Sequence, residues 1–412
     1  MKSIKQIRNL AGKRILVRVD FNVPIKKGKV AEDSRLLASL PTIKYLVEKK
    51  AKVILVTHIG RPEGIDVSLK VEPIARRLGE FVKRDIKILD IKILRRYYKD
   101  ISAKGGPASG WEKYFEYASK EIGKMKNGQI LMLENIRFFA DENKDVNGFS
   151  RKLAILGDIF VLDGFAVAHR DSGSVTGVAK HLPSYAGLLL EKEIVGLSKV
   201  LQQPKNPFIV VLGGAKMETK IPVIKNLLPK CDYLLAGGGI VNTYLKVLGY
   251  GVGDSLVDMD FKKESLIYGK KKKVIMPVDV VVGTIDGKKY RVVELQKKSH
   301  QICKKGEAIL DCGPKTIQLY AKYIKQAQTL VWNGAMGYFE QKPYDVGTLS
   351  IARLVASRSK GKAYGVIGGG ETLQSMEMVK MTEYVDLVST GGGAMLEFLS
   401  GNMLPGVTAV SA

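Results

Sequence analysis

Nine short runs of apolar, often β-branched residues recur along the chain, separated by stretches with helical spacing. The first four are RILVRVD (14–20), KVILVTH (52–58), QILMLEN (129–135) and DIFVLDG (158–164). Five more follow: PFIVVLGG (207–214), DYLLAGGG (232–239), TLVWNG (329–334), AYGVIGGG (363–370) and YVDLVSTGGG (384–393). Continuous apolar strands alternating with helices predict parallel sheets covered on both faces. Nearly every run ends in polar or glycine residues. In such sheets ligands bind beyond the carboxyl ends of the strands, where these residues fall.

A chain of 412 residues exceeds one ordinary core and predicts two domains of about 200 residues each. Between the two series lies LPSYAGLLLEKEIVGLSKVLQQP (182–204), with Leu190, Ile194, Leu197 and Leu201 at steps of three and four. It reads as one amphipathic connecting helix. Domain boundaries are expected at 1–185, 186–204 for the connector, and 205–400. Residues 91–128 break the rhythm with a Gly105-Gly106-Pro107 loop and then a helical stretch, and read as an insertion.

Several function classes are set aside by composition. No run approaches the roughly 18 apolar residues of a membrane span. The first residues, MKSIKQIRNLAGKR, lack a signal-peptide core, so a cytoplasmic protein starting near Met1 is expected. Cys231, Cys303 and Cys312 form no C-x-x-C pair, which argues against a disulfide framework or zinc site. The net charge of +25 allows either a polyanion partner or a solvated basic surface. Basic pairs are scattered (Lys26-Lys27, Lys49-Lys50, Lys297-Lys298, Lys304-Lys305), with one denser stretch at Lys271 to Lys273. That distribution favours the solvated surface, and no specific nucleic-acid partner is expected.

There is no G-x-x-x-x-G-K-[ST] loop and no G-x-G-x-x-G after the first strand. Glycine clusters instead follow four second-half strands, at 213–214, 237–239, 368–370 and 391–393. Glycine there serves a tight turn or lets backbone approach a phosphate, and a helix starting there aims its N–H groups at the anion. Gly370-Glu371-Thr372 adds a carboxylate for Mg²⁺ and a hydroxyl for phosphate. Lys216 and Lys220 follow Gly213-Gly214-Ala215, four apart, and share a face if a helix begins here; they are surface lysines or partners of a triphosphate. In the first half, Arg35, His58, Arg61, Arg137 and Arg170 stand at or after strand ends, near Asp20 and Asn22. Arginine suits bidentate capture of carboxylate and phosphate. A kinase for a small anionic metabolite follows from these residues. The metabolite does not.

These segments also resemble phosphoglycerate kinases over nearly the whole chain. The carrying motifs are VRVDFNVP (17–24), THIGRP (57–62), LENIRF (133–138), DGFAVAHR (163–170), VLGGAKMETKI (211–221), DCGPKT (311–316), VWNGAMGYFE (331–340), GGGET (368–372) and VSTGGGAMLEFLSG (388–401). The resemblance implies two Rossmann-like three-layer α/β/α domains with parallel sheets, facing across a hinged cleft. It implies reversible phosphoryl transfer between ATP and the carboxylate of 3-phosphoglycerate, giving ADP and 1,3-bisphosphoglycerate, in glycolysis and gluconeogenesis. A monomer is expected, with the tail 401–412 folded back on the N-terminal domain.

Carried over by position, Asp20, Phe21, Asn22, Arg35, His58, Arg61, Arg137 and Arg170 match the acid site. Gly213, Lys216, Lys220, Gly237, Gly238, Asn333, Glu340, Gly369, Gly370, Glu371 and Thr372 match the nucleotide site. Arg35 and Lys216 take the catalytic roles, Glu340 the ribose, and Glu371 the Mg²⁺ that accompanies ATP or ADP. The chain departs from the pattern at Glu371, where Asp is usual, at Ala335, where Pro is usual and whose loss should loosen the loop, and in the 91–128 insertion.

Overall fold

A computed structural model describes residues 1–90, 110–146, 148–295 and 300–411. The chain divides into two compact units, Met1–Ile194 with Met403–Ala412, and Val195–Asn402. Each unit is a parallel-sheet α/β domain.

In the first unit six parallel strands run in the order Ile86–Leu89, Ile130–Leu133, Lys52–Val56, Arg14–Arg18, Ile159–Leu162, Ser184–Ala186. Ile130–Leu133 and Ile159–Leu162 are buried throughout, which is why these runs show no alternation of polar and apolar residues. Their helices cover them with apolar stripes; Glu72–Val82 contributes Ile74, Ala75 and Leu78. Register matters most for function. Arg18 lies level with both Val56 and Leu162, so the segments that leave these three strands share one edge. From the tail, Gly406 N–H donates to Ala168 O at 2.8 Å.

The second unit repeats the plan in the order Val274–Ile275, Tyr233–Ala236, Phe208–Leu212, Thr329–Asn333, Tyr364–Gly368, Leu387–Ser389. The chain winds outward from Phe208–Leu212 in one direction, then from Thr329–Asn333 in the other. The crevice between those two strands is the switch point at which such sheets bind ligands.

Two features differ from the sequence expectation. A three-stranded antiparallel sheet, Tyr290–Glu294, Asp279–Gly283, Ala308–Cys312, stands beside the parallel one. Tyr290–Glu294 is half exposed and gives no continuous apolar run, whereas Asp279–Gly283 does carry one. The readable signal was the turn at Asp286-Gly287, where Gly287 takes a φ of 76°. The second difference is at 182–204, which is not one helix. Ser184–Ala186 forms an edge strand and the helix runs over Leu188–Gln202. Its start is set from far away in sequence: Leu188 N–H donates to Thr42 Oγ1 at 2.8 Å and Leu189 N–H to Asp163 Oδ1 at 3.0 Å. Of the expected insertion, 91–109 lie outside the described residues, and Gly110–Gly123 is a helix.

Asp279 does the same for the helix Pro314–Ile324. Its buried carboxylate accepts the N–H groups of Thr316 (2.7 Å) and Lys315 (3.0 Å). Asp279→Ala should therefore cost about 2 kcal/mol of stability. The urea midpoint would fall at constant slope; an unmoved midpoint would deny the carboxylate this role.

Candidate active site

In the first unit the strand ends gather Asp20, His58 and four arginines. Asp20 is buried and accepts a hydrogen bond from the half-buried Arg35. Asn22 Oδ1 accepts Gly60 N–H at 2.8 Å, and Arg137 Nη1 donates to Gly60 O at 2.9 Å. These bonds join the segments after three strands into one rim. Arg137 Nε and Arg170 Nε are buried without a hydrogen-bond partner. Burial lowers the pKa of Arg170, opposed by the charge of Asp20 and aided by Arg61. Arg61 is exposed. Phe21 turns its ring into the core, and its N–H already donates to Thr57 Oγ1 at 2.9 Å.

His58 requires a correction. It counts as a cation in the sequence, but burial, together with Arg18, Arg170 and Arg35, holds its pKa well below the usual value. Arg18 Nη2 lies 3.2 Å from His58 Nδ1. A guanidinium can only donate, so Nδ1 accepts and the proton sits on Nε2. The imidazole is neutral. Arg18, 1% exposed, was not singled out from sequence, because it reads there as an interior strand residue; its Nε also donates to Ser174 Oγ at 2.9 Å.

In the second unit a cavity of about 470 Å³ opens at the switch point. It takes in Gly237, Gly238, Glu340 and Glu371, with Glu340 exposed. Gly213 is absent from its lining because it packs elsewhere: a Cβ there would lie 2.1 Å from Ala335 O. Gly214 N–H donates to Ala335 O (2.7 Å) and Gly238 N–H to Met336 O (3.0 Å). Glycines 213, 214 and 238 thus let three strand-end loops pack backbone to backbone. Gly370 and Gly393 differ, since a Cβ on either would meet open space. Those two stand in the first turns of the helices Gly370–Met378 and Gly392–Leu399, whose N–H groups face outward and favour anions. The apolar wall of the cavity was not anticipated. It includes Leu310 and Val280 from the antiparallel sheet, and Leu256, which is 58% exposed.

Lys216 and Lys220 do not share a helix face. Lys216 is the exposed N-cap of Met217–Leu227, with extended backbone, whereas Lys220 is buried and donates to Asn333 Oδ1. Burial pushes Lys220 down to about 8, opposed by the charge of Glu371. Asn333 Nδ2 donates to Gly368 O at 2.7 Å. Gly369, with φ 96°, caps the next helix, and Thr372 is fully buried, its Oγ1 accepting Gly334 N–H at 2.7 Å. A lysine at the positive end of a helix is unfavourable alone. An anion placed there offsets both charges.

Among the described residues no three His, Cys, Asp or Glu side chains gather as a metal site. A single carboxylate, Glu371, fits a hard divalent cation that takes most of its ligands from phosphate oxygens.

A sequence profile of the phosphoglycerate kinase family matches residues 4–402. The chain belongs to the phosphoglycerate kinase family. It is 40% identical to the phosphoglycerate kinase of Dictyoglomus turgidum, with 98% of each chain covered. It is 41% identical to that of Pelotomaculum thermopropionicum, over 99% of this chain and 98% of the other. The solved structure of phosphoglycerate kinase from Coxiella burnetii is similar at a TM-score of 0.81 and 35% identity, covering 99% of this chain and 98% of that one. The Pyrococcus horikoshii enzyme gives 0.82 and 31%, covering 100% and 98%. As a member of this kinase family, the chain shows two of its three departures in contact. The Ala335 N–H, a donor that proline lacks, points at Glu371 Oε2 at 3.3 Å. The loop expected to loosen is tied at this bond and at Gly214.

The neutral His58 makes a pH prediction. The unfolded chain protonates this residue near pH 6.5 while the folded chain refuses the proton, so stability falls as pH drops below about 6.5. The slope from this residue is at most about 1.4 kcal/mol per pH unit. His58→Gln should lose less stability than the unaltered chain between pH 7 and 5 in urea titrations. Equal losses would mean that His58 is protonated when folded.

Proposed function

We propose that this phosphoglycerate kinase family member transfers a phosphoryl group reversibly between MgATP and the carboxylate of 3-phosphoglycerate, forming ADP and 1,3-bisphosphoglycerate. The observation that carries the reading is the pair of buried, unpartnered guanidinium Nε atoms of Arg137 and Arg170, the latter in the field of Asp20. Such a concentration of cations favours a small ligand with both a phosphate and a carboxylate. On this reading the acid binds the domain at 1–185, to which the tail 401–412 returns. The nucleotide binds the domain at 205–400, and the segment 186–204 connects them.

The acceptor carboxylate is ionised at neutral pH and needs no general base. Catalysis comes from positioning and neutralisation of charge during in-line transfer. Arg35 and Lys216 hold the transferring phosphoryl group. Lys216 is suited to this because it is exposed at a helix N-terminus. Neutral His58 offers Nε2–H to the acid, and Arg61, Arg137 and Arg170 hold its anionic groups. Asn22 orients the Gly60 backbone beside them. The helix starts at Gly370 and Gly392 add N–H groups for nucleotide phosphates, while Gly237 and Gly238 floor the base pocket and Glu340 takes the ribose. Lys220 and Asn333 act as a buried pair that fixes the pocket wall. Glu371 would hold Mg²⁺, which supplies charge neutralisation on the nucleotide phosphates when bound. Hinge closure of the two domains would exclude water from the acyl phosphate.

Two further points belong to this reading. The three cysteines are free and buried, as suits a reducing cytoplasm, and no described helix is long and apolar enough to cross a membrane. One chain carries both half-sites, so a monomer suffices.

The test is phosphoryl transfer from MgATP to 3-phosphoglycerate, with the acyl phosphate reduced in a coupled assay. Turnover should occur, and Lys216→Ala should lower kcat at least about a hundredfold while MgADP still binds. Near-normal kcat in that variant would remove Lys216 from the chemistry. Arg61→Ala should chiefly raise KM for the acid; an unchanged KM would take Arg61 out of the anion site.

A further inference from the structure

The helix Gly110–Gly123 lies outside every motif that carries the family resemblance, yet it grips the segment bearing Arg137 at both ends. At one end Tyr114 Oη donates to Leu89 O (2.7 Å) and accepts Glu134 N–H (2.6 Å). The Glu134 carboxylate accepts N–H groups from Val71 (2.8 Å) and Asn135 (2.9 Å). The Asn135 amide then bonds Ile59 on both its N–H (3.2 Å) and its O (2.9 Å), next to Gly60, whose O receives Arg137 Nη1. At the other end Trp111 Nε1 donates to Asp141 Oδ2 at 2.7 Å. Between them the Phe139 ring lies 5.4 Å from Tyr114 and 6.0 Å from Phe115.

We propose that Tyr114 and Trp111 are positioning residues for the acid substrate: together they clamp residues 134–141 so that Arg137 is presented to the anion. The links on the helix side are buried, with Tyr114, Trp111, Glu134 and Asn135 each at most 1% exposed. Hydrogen bonds in such surroundings are strong and stiff, and a missing partner is costly. Burial also keeps the Tyr114 hydroxyl protonated, well above its usual range, so its donation to Leu89 O persists at all working pH. A helix serving only the core would need the rings, but neither the hydroxyl nor the indole N–H. Tyr114→Phe and Trp111→Phe separate these two demands.

The inference rests on the acid-site reading above, and its test uses binding rather than turnover. Calorimetry on the full chain measures Kd for 3-phosphoglycerate and, separately, for MgADP. Tyr114→Phe should weaken the acid about fivefold and leave MgADP unchanged. In an Arg137→Ala background the same change should add nothing, because it acts through Arg137. Trp111→Phe should behave alike, and serves if Tyr114→Phe does not fold. An unchanged acid Kd in the single variants, or a full additional loss on top of Arg137→Ala, overturns the clamp. If the unaltered chain does not bind the acid, both readings fall. Binding without turnover overturns the catalytic reading alone, and the clamp is still decided by the Kd values.

Discussion

A parallel strand buried on both faces has no place for a charged side chain except at its ends. That constraint organises both halves of this protein. Arg18, Val56 and Leu162 are level in register, so Asp20, His58 and the DGFAVAHR segment leave the first sheet at one edge. In the second sheet Asn333 is level with both Leu212 and Gly368. Glycines and polar groups from three strands therefore arrive together. The apolar interior and the polar edge are two consequences of one packing arrangement.

At the edges, the two sheets use different materials. The first relies on side chains, chiefly guanidinium groups: Arg35 donates to Asp20 and Arg137 to Gly60 O, while Thr57 and Asn135 hold the backbone at Phe21 and Ile59. The second relies on backbone. Its glycines bring loops so close that Gly214 bonds directly to Ala335 O, leaving helix N-termini as its main anion-seeking groups. Discrete cations suit a small acid with few atoms. An apolar cavity flanked by N–H groups suits a ligand with a flat base and several phosphates.

Much of this was readable along the chain. The nine apolar runs all became strands, and the residues after them became the edges of the two sheets. The antiparallel sheet was not read, although Asp286-Gly287 announced its turn: its outer strand Tyr290–Glu294 is half exposed, and the apolar run at 280–282 was passed over. The site residues were found as types at strand ends, but their individual environments were not. Gly213 reads as a nucleotide-site residue, and only the structure shows that it packs against Ala335 O. Thr372 reads as a phosphate-binding hydroxyl, and only the structure shows that it is buried and that its Oγ1 accepts Gly334 N–H.

Sequence alone determined the alternation of strands and helices, the location of chemistry at strand ends, and the kinds of group available there. These follow from local rules: what a buried strand tolerates, and where glycine or arginine is useful. Only the tertiary structure decided that His58 is neutral, that Lys216 and Lys220 part company, and that Ala335 meets Glu371. It also decided that the helix after Gly187 begins on Thr42 and Asp163. Each of these depends on desolvation or on a partner tens to more than a hundred residues away. Protonation and hydrogen bonding respond to distance in space, and a linear sequence does not carry that distance.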